Sequence, residues 1–159
     1  MPHLGSSVLA LGTASSIFVS GSIFAFSLGG VSTARLAAEA TSSPELASRR
    51  WLNVYQKCHY VGTPMVLFST ACFAWLRYQT HRNVFLAAAA SCASLIPYTI
   101  VILSGPEEIL FAALNKRKEE GSPDMVEVRK AIVQWGNVNI FRAVFPLVGG
   151  LVALAAEML

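Results

Sequence analysis

Four long apolar stretches, separated by shorter polar ones, run along the 159 residues of the chain. Each is about 20 residues long, which is the length that an α-helix needs to cross the apolar core of a bilayer. The predicted spans are approximately residues 8–31, 58–76, 84–104 and 137–156. The pattern therefore predicts an all-α fold, a four-helix transmembrane bundle that forms one domain over residues 1–159.

The first apolar stretch has two interpretations, a retained transmembrane helix or a cleaved signal peptide. We prefer the retained helix, because no Lys or Arg precedes it and because it is longer than the apolar region of an ordinary signal peptide. Gly12, Ser16 and Ser20 recur every four residues within it. Such a stripe of small residues lets a second helix pack closely against this one.

The connections between the spans also carry structural information. In the polar connection 32–57, Ser43 fits the cap of a helix and Pro44 its first position, so a short amphipathic helix is predicted to lead into the second span. The short polar link Arg77–Asn83 predicts a tight turn. Pro97 predicts a kink late in the third span, because proline removes a backbone hydrogen bond.

The pair Gly105-Pro106 is predicted to end the third span, and a long charged loop, residues 107–135, follows it. Apolar residues recur at helical spacing in the first half of this loop. We therefore expect that half to lie as a helix on the membrane surface.

The composition excludes several classes of protein. The chain is 54% hydrophobic and 13% charged, whereas soluble domains carry about 25% charged residues. The net charge of +3 is dispersed, without a run of five basic residues, which argues against nucleic acid as a partner. The densest charged cluster, residues 115–120, mixes both signs and is interpreted as a solvated loop. Cys58, Cys72 and Cys92 are isolated and are expected to be small buried hydrophobic residues.

The basic residues of the loops predict the orientation in the membrane. Nine lie in the first and third loops, on one side: Arg35, Arg49, Arg50, Lys57, Lys116, Arg117, Lys118, Arg129 and Lys130. The opposite side has only Arg77 and Arg82. Because the basic excess marks the cytosolic side, both termini are expected to face the lumen or exterior. We expect a multi-pass integral protein of the endoplasmic reticulum or another endomembrane.

Three groups of polar and aromatic residues occur in or beside the apolar spans. One stripe leads into the second span: Trp51, Tyr55, His59 and Gly62. A second stripe opens the fourth span: Trp135, Asn139 and Arg142. The third group lies near the end of the third span: Tyr98, Thr99, Glu107 and Glu108. All three lie at the predicted cytosolic ends of their helices, which predicts one polar cavity open to that leaflet.

Arg142 lies about one turn inside an apolar span, where a charge costs at least about 2.5 kcal/mol. We expect it to pair with Glu107 or Glu108, or alternatively to extend to the interface and anchor its helix. His59 has the properties of a base near neutral pH, or of an interfacial histidine satisfied by a neighbour. Asn139 has the alternative role of a hydrogen bond between helices.

The order of these residues resembles that of the anthrone oxygenase family, small helical membrane proteins that occur beside fungal polyketide synthases. The matching segments are Trp51 to Pro64, Pro97-Tyr98-Thr99, Gly105-Pro106-Glu107-Glu108, and Trp135, Asn139 and Arg142. The chain departs from the family where many members have a proline–threonine–asparagine motif after the third span. Here that position holds Pro106-Glu107-Glu108.

The resemblance implies oxidation of an anthrone-type aromatic polyketide to the anthraquinone by O2, without a metal or other cofactor. His59 is the candidate base, with Glu107 and Glu108 as rivals. The candidate oxyanion partners are Arg142 with Asn139 or Tyr55. The candidate substrate-binding residues are Trp51 and Trp135, which would stack on the rings, together with Tyr98, Glu107 and Glu108. His3, His59 and His81 lie on different segments, so no metal-binding triad is predicted.

Two other functions stay open at this point. One is a non-enzymatic tetraspan scaffold or transporter accessory, which would bury small residues between its helices and enclose no aromatic-lined pocket. The other is an enzyme of the same fold that acts on a different polyketide. The partners expected from the sequence are an apolar aromatic substrate, O2 and membrane lipid, and a homo-oligomer is compatible with the sequence.

Overall fold

The computed structural model of the protein describes residues 2–115 and 122–158. Those residues form seven α-helices and one π-helix, and no strand. In chain order they are α1 (Pro2–Ala25), the π-helix (Phe26–Gly30), α2 (Val31–Glu39), α3 (Pro44–Thr80), α4 (Asn83–Ile102), α5 (Ser104–Leu114), α6 (Met125–Arg142) and α7 (Val144–Met158). The all-α prediction is confirmed.

Three helical segments are long and apolar enough to cross a membrane: Leu4–Glu39, Asn83–Ile102 and Met125–Met158. They contain the first, third and fourth predicted spans, except that the third ends at Ile102 and not at residue 104. The predicted second span, residues 58–76, lies inside the 37-residue helix α3, which is not one of the three. His59, from the stripe that ends at Gly62, lies in this span and lowers its hydropathy. The structure thus supports a multi-pass membrane protein, and the fourth crossing remains a proposal.

The long helices form a bundle in which α1 and α4 each contact both α3 and α7. Two glycines allow close approach. A Cβ atom on Gly12 would lie 2.8 Å from Cβ of Cys72 on α3, and one on Gly149 would lie 2.8 Å from the carbonyl oxygen of Ala88 on α4. Ser20 Oγ donates to the carbonyl oxygen of Ala143 at 2.7 Å. The predicted small-residue stripe of α1 therefore does pack against neighbouring helices.

Several predicted helix ends are confirmed and one is wrong. Helix α3 begins at Pro44, with Ser43 Oγ accepting from the backbone N–H of Leu46, as predicted. It turns into α4 at His81, whose φ of 54° is left-handed, within the predicted tight link. The polar connection was expected to begin at residue 32, but the helix continues to Glu39. The segment contains no proline or glycine after Gly30 to stop it.

The loop predicted between the third and fourth spans is largely helical. Helix α4 ends at Ile102, and Gly105-Pro106 lies in the first turn of α5. The backbone N–H groups of a first turn have no acceptor within the helix, so a proline there costs no hydrogen bond. The helix expected in the first half of this loop is therefore present as α5, and Leu110 on its inner face is fully buried, so that face packs into the end of the bundle. Helix α6 begins at Met125, preceded by a capping box that joins Asp124 and Glu127.

Candidate functional site at one end of the bundle

Three rings on α3 form a column, because residues four apart lie above one another on a helix. The ring centroids of Trp51 and Tyr55 are 5.1 Å apart. Those of Tyr55 and His59 are 5.4 Å apart, with an angle of 19° between the planes. The predicted stripe therefore exists as a physical column that leads from the polar end of the bundle to the imidazole of His59.

The two tryptophans pack against each other. Trp135 on α6 meets the ring of Trp51 edge-on, with centroids 5.7 Å apart, and Phe111 of α5 meets Trp51 at 5.3 Å. Both indoles are fully buried. Trp135 Nε1 donates to Glu107 Oε1 at 3.0 Å, whereas Trp51 Nε1 has no partner. The tryptophans thus form a packed layer covered by α5, not open walls on which a substrate ring could stack.

The two acidic residues after α4 have different surroundings. Glu108 is exposed, while the carboxylate of Glu107 is partly buried beside Trp135. Burial raises the pKa of Glu107, and the hydrogen bond from Trp135 and the positive charge of Arg142 oppose that rise. Glu107 therefore holds its proton at higher pH than an exposed glutamate does.

Arg142, the last residue of α6, is only 3% exposed. Its Nη1 donates to Asn139 Oδ1 at 2.8 Å, and its buried Nε has no partner. The expected ion pair with Glu107 or Glu108 is not formed, since the ion pairs within residues 2–115 and 122–158 are Arg35–Glu39 and Arg49–Glu45. The alternative expectation, an arginine extended to the interface, is also wrong, because the guanidinium is buried.

A cavity of about 220 Å³ lies between α3, α4 and the end of α6. Its lining residues are His59, Thr63, Val66, Leu95, Ile96, Thr99, Ile100 and Arg142. His59 and Arg142, predicted from separate stripes to meet, thus share one cavity. The exposed side chains of Ile96 and Ile100 place its outer wall on the lateral surface of the bundle.

Thr99, from the third polar group, also lines this cavity, whereas the other residues singled out in the sequence do not. Tyr98 donates its hydroxyl to the carbonyl oxygen of Val138 at 3.1 Å and packs on Phe145, so it joins α4 to the α6–α7 region. Tyr55 belongs to the ring column beside the cavity. Asn139 is fully buried behind Arg142, and its Nδ2 donates to Ser27 Oγ at 2.7 Å.

Sequence reasoning missed Thr63 and Ser27. Thr63 follows His59 by four residues, so helical spacing alone was enough to place it on the same face. Ser27 lies in the π-helix, and nothing in its neighbourhood distinguishes it from the other serines of the first span. No group of three His, Cys, Asp or Glu side chains that could hold a metal ion occurs in the part of the chain that the structure describes. The side chain of His3 and the basic residues Lys116, Arg117 and Lys118 lie outside that part.

Comparison with known proteins adds a family to this geometry. The profile described as anthrone oxygenase matches residues 51–152, more than half of the chain. The chain belongs to the anthrone oxygenase family. The resemblance seen in the sequence motifs is confirmed, and the matched range begins at Trp51 and includes both His59 and Arg142. Helix α1, the π-helix and α2 precede it.

Curated fungal proteins of anthrone oxygenase type are identical to the chain at about a quarter of the aligned positions. Monooxygenase hypC of Dothistroma septosporum is 25% identical over 121 aligned positions, in an alignment that covers 73% of this chain and 65% of that protein. Noranthrone monooxygenase of Aspergillus flavus is 24% identical over 122 residues, 73% of this chain and 58% of that protein. The chain thus spans about three fifths of the length of these two relatives.

Anthrone oxygenase encC of Aspergillus fumigatus is 26% identical over 159 aligned residues, which cover 89% of this chain and 87% of that protein. No solved structure matches the chain significantly. The family assignment of this anthrone oxygenase homologue therefore rests on sequence, and its site geometry rests on the structure described above.

Proposed function

We propose that the protein oxidises an anthrone-type aromatic polyketide to the anthraquinone with O2 in the cavity between α3, α4 and α6, without a cofactor. The observation that carries the proposal is the burial of Arg142 beside the cavity. Arg142 is buried, has no ion-pair partner among the described residues, and lines the same cavity as His59. A charge in this position is costly unless it serves a ligand, and an enolate-type oxyanion is a ligand that matches it.

The cavity suits an apolar substrate that arrives through the bilayer. Val66, Leu95 and Ile96 provide apolar walls, and the exposed Ile96 and Ile100 lie where a lipid-dissolved molecule would arrive. The volume of about 220 Å³ is slightly below the roughly 300 Å³ of smaller ligand sites, so we expect one edge of a flat tricyclic substrate to remain in contact with lipid. O2 also favours apolar surroundings. A scaffold has no need for such a cavity, which favours the enzymatic function.

The first chemical step is removal of a proton. An anthrone has an acidic CH2 group between two aryl rings, conjugated to a carbonyl. In the proposed pose, His59 takes one proton from the CH2 carbon, and the electron pair moves to the carbonyl oxygen. Arg142 donates to that oxyanion through its guanidinium, which is oriented by the Nη1 bond to Asn139. Because Asn139 already uses Oδ1 and Nδ2, its role is to position Arg142.

The second step is oxidation by O2 directly. The electron-rich anthrolate gives one electron to O2, and the resulting radical pair combines to form a C–O bond at the former CH2 carbon. The peroxide takes the proton from the His59 imidazolium. Loss of the remaining C–H proton, with cleavage of the O–O bond, forms the second carbonyl and releases water. One anthrone and one O2 thus give one anthraquinone and one H2O.

The experiment is oxygen uptake by membranes that contain the protein, with emodin anthrone as the probe. Uptake should exceed that of membranes containing equal amounts of Arg142→Gln protein and should match the quinone formed mole for mole. Thr70→Val, which removes a buried hydroxyl of α3 that has no partner in the structure and does not line the cavity, is the matched control and should keep wild-type uptake. Wild-type uptake no greater than that of membranes without the protein would reject the proposed function.

A further inference from the structure

The guanidinium of Arg142 is held by a chain of buried hydrogen bonds that ends in the first helical segment. Its Nη1 donates to Asn139 Oδ1 at 2.8 Å, Asn139 Nδ2 donates to Ser27 Oγ at 2.7 Å, and Ser27 Oγ donates to the carbonyl oxygen of Ile23 at 2.8 Å. Asn139, Arg142 and Ser27 are each at least 95% buried. These hydrogen bonds thus connect the cavity to a part of the protein that lies before the family-matched residues 51–152.

The direction of each of these hydrogen bonds follows from the chemistry of the guanidinium. An arginine has only donors, so the side chain of Asn139 must turn its oxygen towards Arg142. Its NH2 group then points to Ser27, which must accept with Oγ. The hydroxyl hydrogen of Ser27 is left to donate to a carbonyl, and the carbonyl of Ile23 is in place to receive it. An alanine at position 27 would leave a buried N–H of Asn139 unpaired.

The position of Ser27 depends on the π-helix. In this segment the backbone N–H of Val31 donates to the carbonyl oxygen of Phe26, five residues earlier. The extra residue in the turn rotates the following helix by about 100° relative to an uninterrupted α-helix. Close packing continues on that rotated face, since a Cβ atom on Gly136 of α6 would lie 2.6 Å from Val31. Single π-helical turns are uncommon and occur frequently at functional sites.

We infer that Ser27 is a positioning residue for the oxidation, which fixes Arg142 against the oxyanion through Asn139. This inference rests on the proposed function of the cavity. Ser27 does not touch the substrate, and its effect is exerted through the orientation of one guanidinium. A misplacement of a catalytic group by about 1 Å is sufficient to reduce turnover roughly 100-fold.

The test compares Ser27→Ala with Ser27→Thr, which keeps the hydroxyl, and with Ser32→Ala as the matched control. Ser32 also donates its hydroxyl to a carbonyl four residues earlier, that of Leu28, but it is exposed and does not contact Asn139. Each variant is assayed for anthrone turnover per amount of folded protein. Ser27→Ala should lose roughly 10- to 100-fold in kcat with KM little changed, whereas Ser27→Thr and Ser32→Ala should stay close to wild type.

Two further measurements separate a positioning role from a purely structural one. Without O2, the wild-type protein should accelerate exchange of the anthrone CH2 hydrogens with D2O, and Ser27→Ala should slow this exchange as strongly as it slows turnover. In an Arg142→Gln background, Ser27→Ala should cause no additional loss, because its effect passes through Arg142.

The outcomes for Ser27 and for the proposed function are distinct. If Arg142→Gln loses turnover while Ser27→Ala keeps wild-type kcat, the inference about Ser27 is wrong and the proposed function stands. An equal further loss from Ser27→Ala in the Arg142→Gln background also contradicts it, since Ser27 would then act independently of the guanidinium. If wild type has no more turnover than samples without the protein, the proposed function fails, and the role inferred for Ser27 fails with it.

Discussion

Replacement of Arg142 by glutamine should affect activity and stability very differently. The substitution removes the charge of a residue that lines the cavity, and glutamine keeps a polar amide of similar width. If Arg142 stabilises the oxyanion, its loss should cost roughly 10²–10³-fold in kcat, as the removal of one oxyanion donor does in other enzymes. That factor corresponds to about 2.7–4 kcal/mol of transition-state stabilisation.

The effect on stability follows from the surroundings of Arg142. Its burial inside an apolar helix costs at least about 2.5 kcal/mol. Against this, the structure shows one charge-assisted hydrogen bond, to Asn139 at 2.8 Å, and such a bond contributes about 1.5–3 kcal/mol. The two contributions nearly cancel. Arg142→Gln should therefore change the free energy of unfolding by no more than about 1 kcal/mol, or raise it, while activity falls.

The assay measures both quantities on the same purified samples in detergent, anthrone turnover and the thermal midpoint of unfolding. A large loss of kcat with a midpoint within a few degrees of wild type is expected. A midpoint far below wild type would mean that Arg142 is structural. Turnover within threefold of wild type would mean that the guanidinium does not stabilise the oxyanion, and would refute the reasoning.

Three further predictions concern His59, Glu107 and metal ions. His59→Ala should lose roughly 10²–10⁴-fold in turnover, the scale of a general base; retained turnover in this variant, with loss in Glu107→Gln, would assign the base to the carboxylate. Because burial raises the pKa of Glu107 above 4.5, folded protein binds this proton more tightly than unfolded protein does. The thermal midpoint of wild type should therefore fall relative to Glu107→Gln as pH rises through the raised pKa, and parallel curves would contradict this. Turnover should survive EDTA; activity lost on metal removal and restored by metal would show a metal requirement.

Much of the fold was predictable because apolar length and helix caps are local properties. The positions of three apolar spans and the start of α3 at Ser43-Pro44 follow directly from residue type. The meeting of His59 and Arg142 in one cavity was predictable too, since polar residues at the same end of several apolar helices have few other places to go.

The remainder depends on distances between helices, which residue type does not give. Trp51 and Trp135 lie on the predicted stripes, but whether they line a pocket or pack together depends on how closely α3 and α6 approach and on α5, which covers them. The π-helix depends on backbone bonds that reach five residues back, such as the one from Val31 to Phe26. Ser27 was consequently indistinguishable in the sequence from serines that only bond to their own helix.

Turnover of an anthrone by the purified protein under ¹⁸O2 tests the central claim most directly. The proposed reaction transfers one oxygen atom to the former CH2 carbon and the other to water. We predict one ¹⁸O atom in each anthraquinone, formed at a rate well above that of Arg142→Gln protein. Quinone without ¹⁸O, or labelled quinone that forms no faster with the wild-type protein than with Arg142→Gln, would contradict the account.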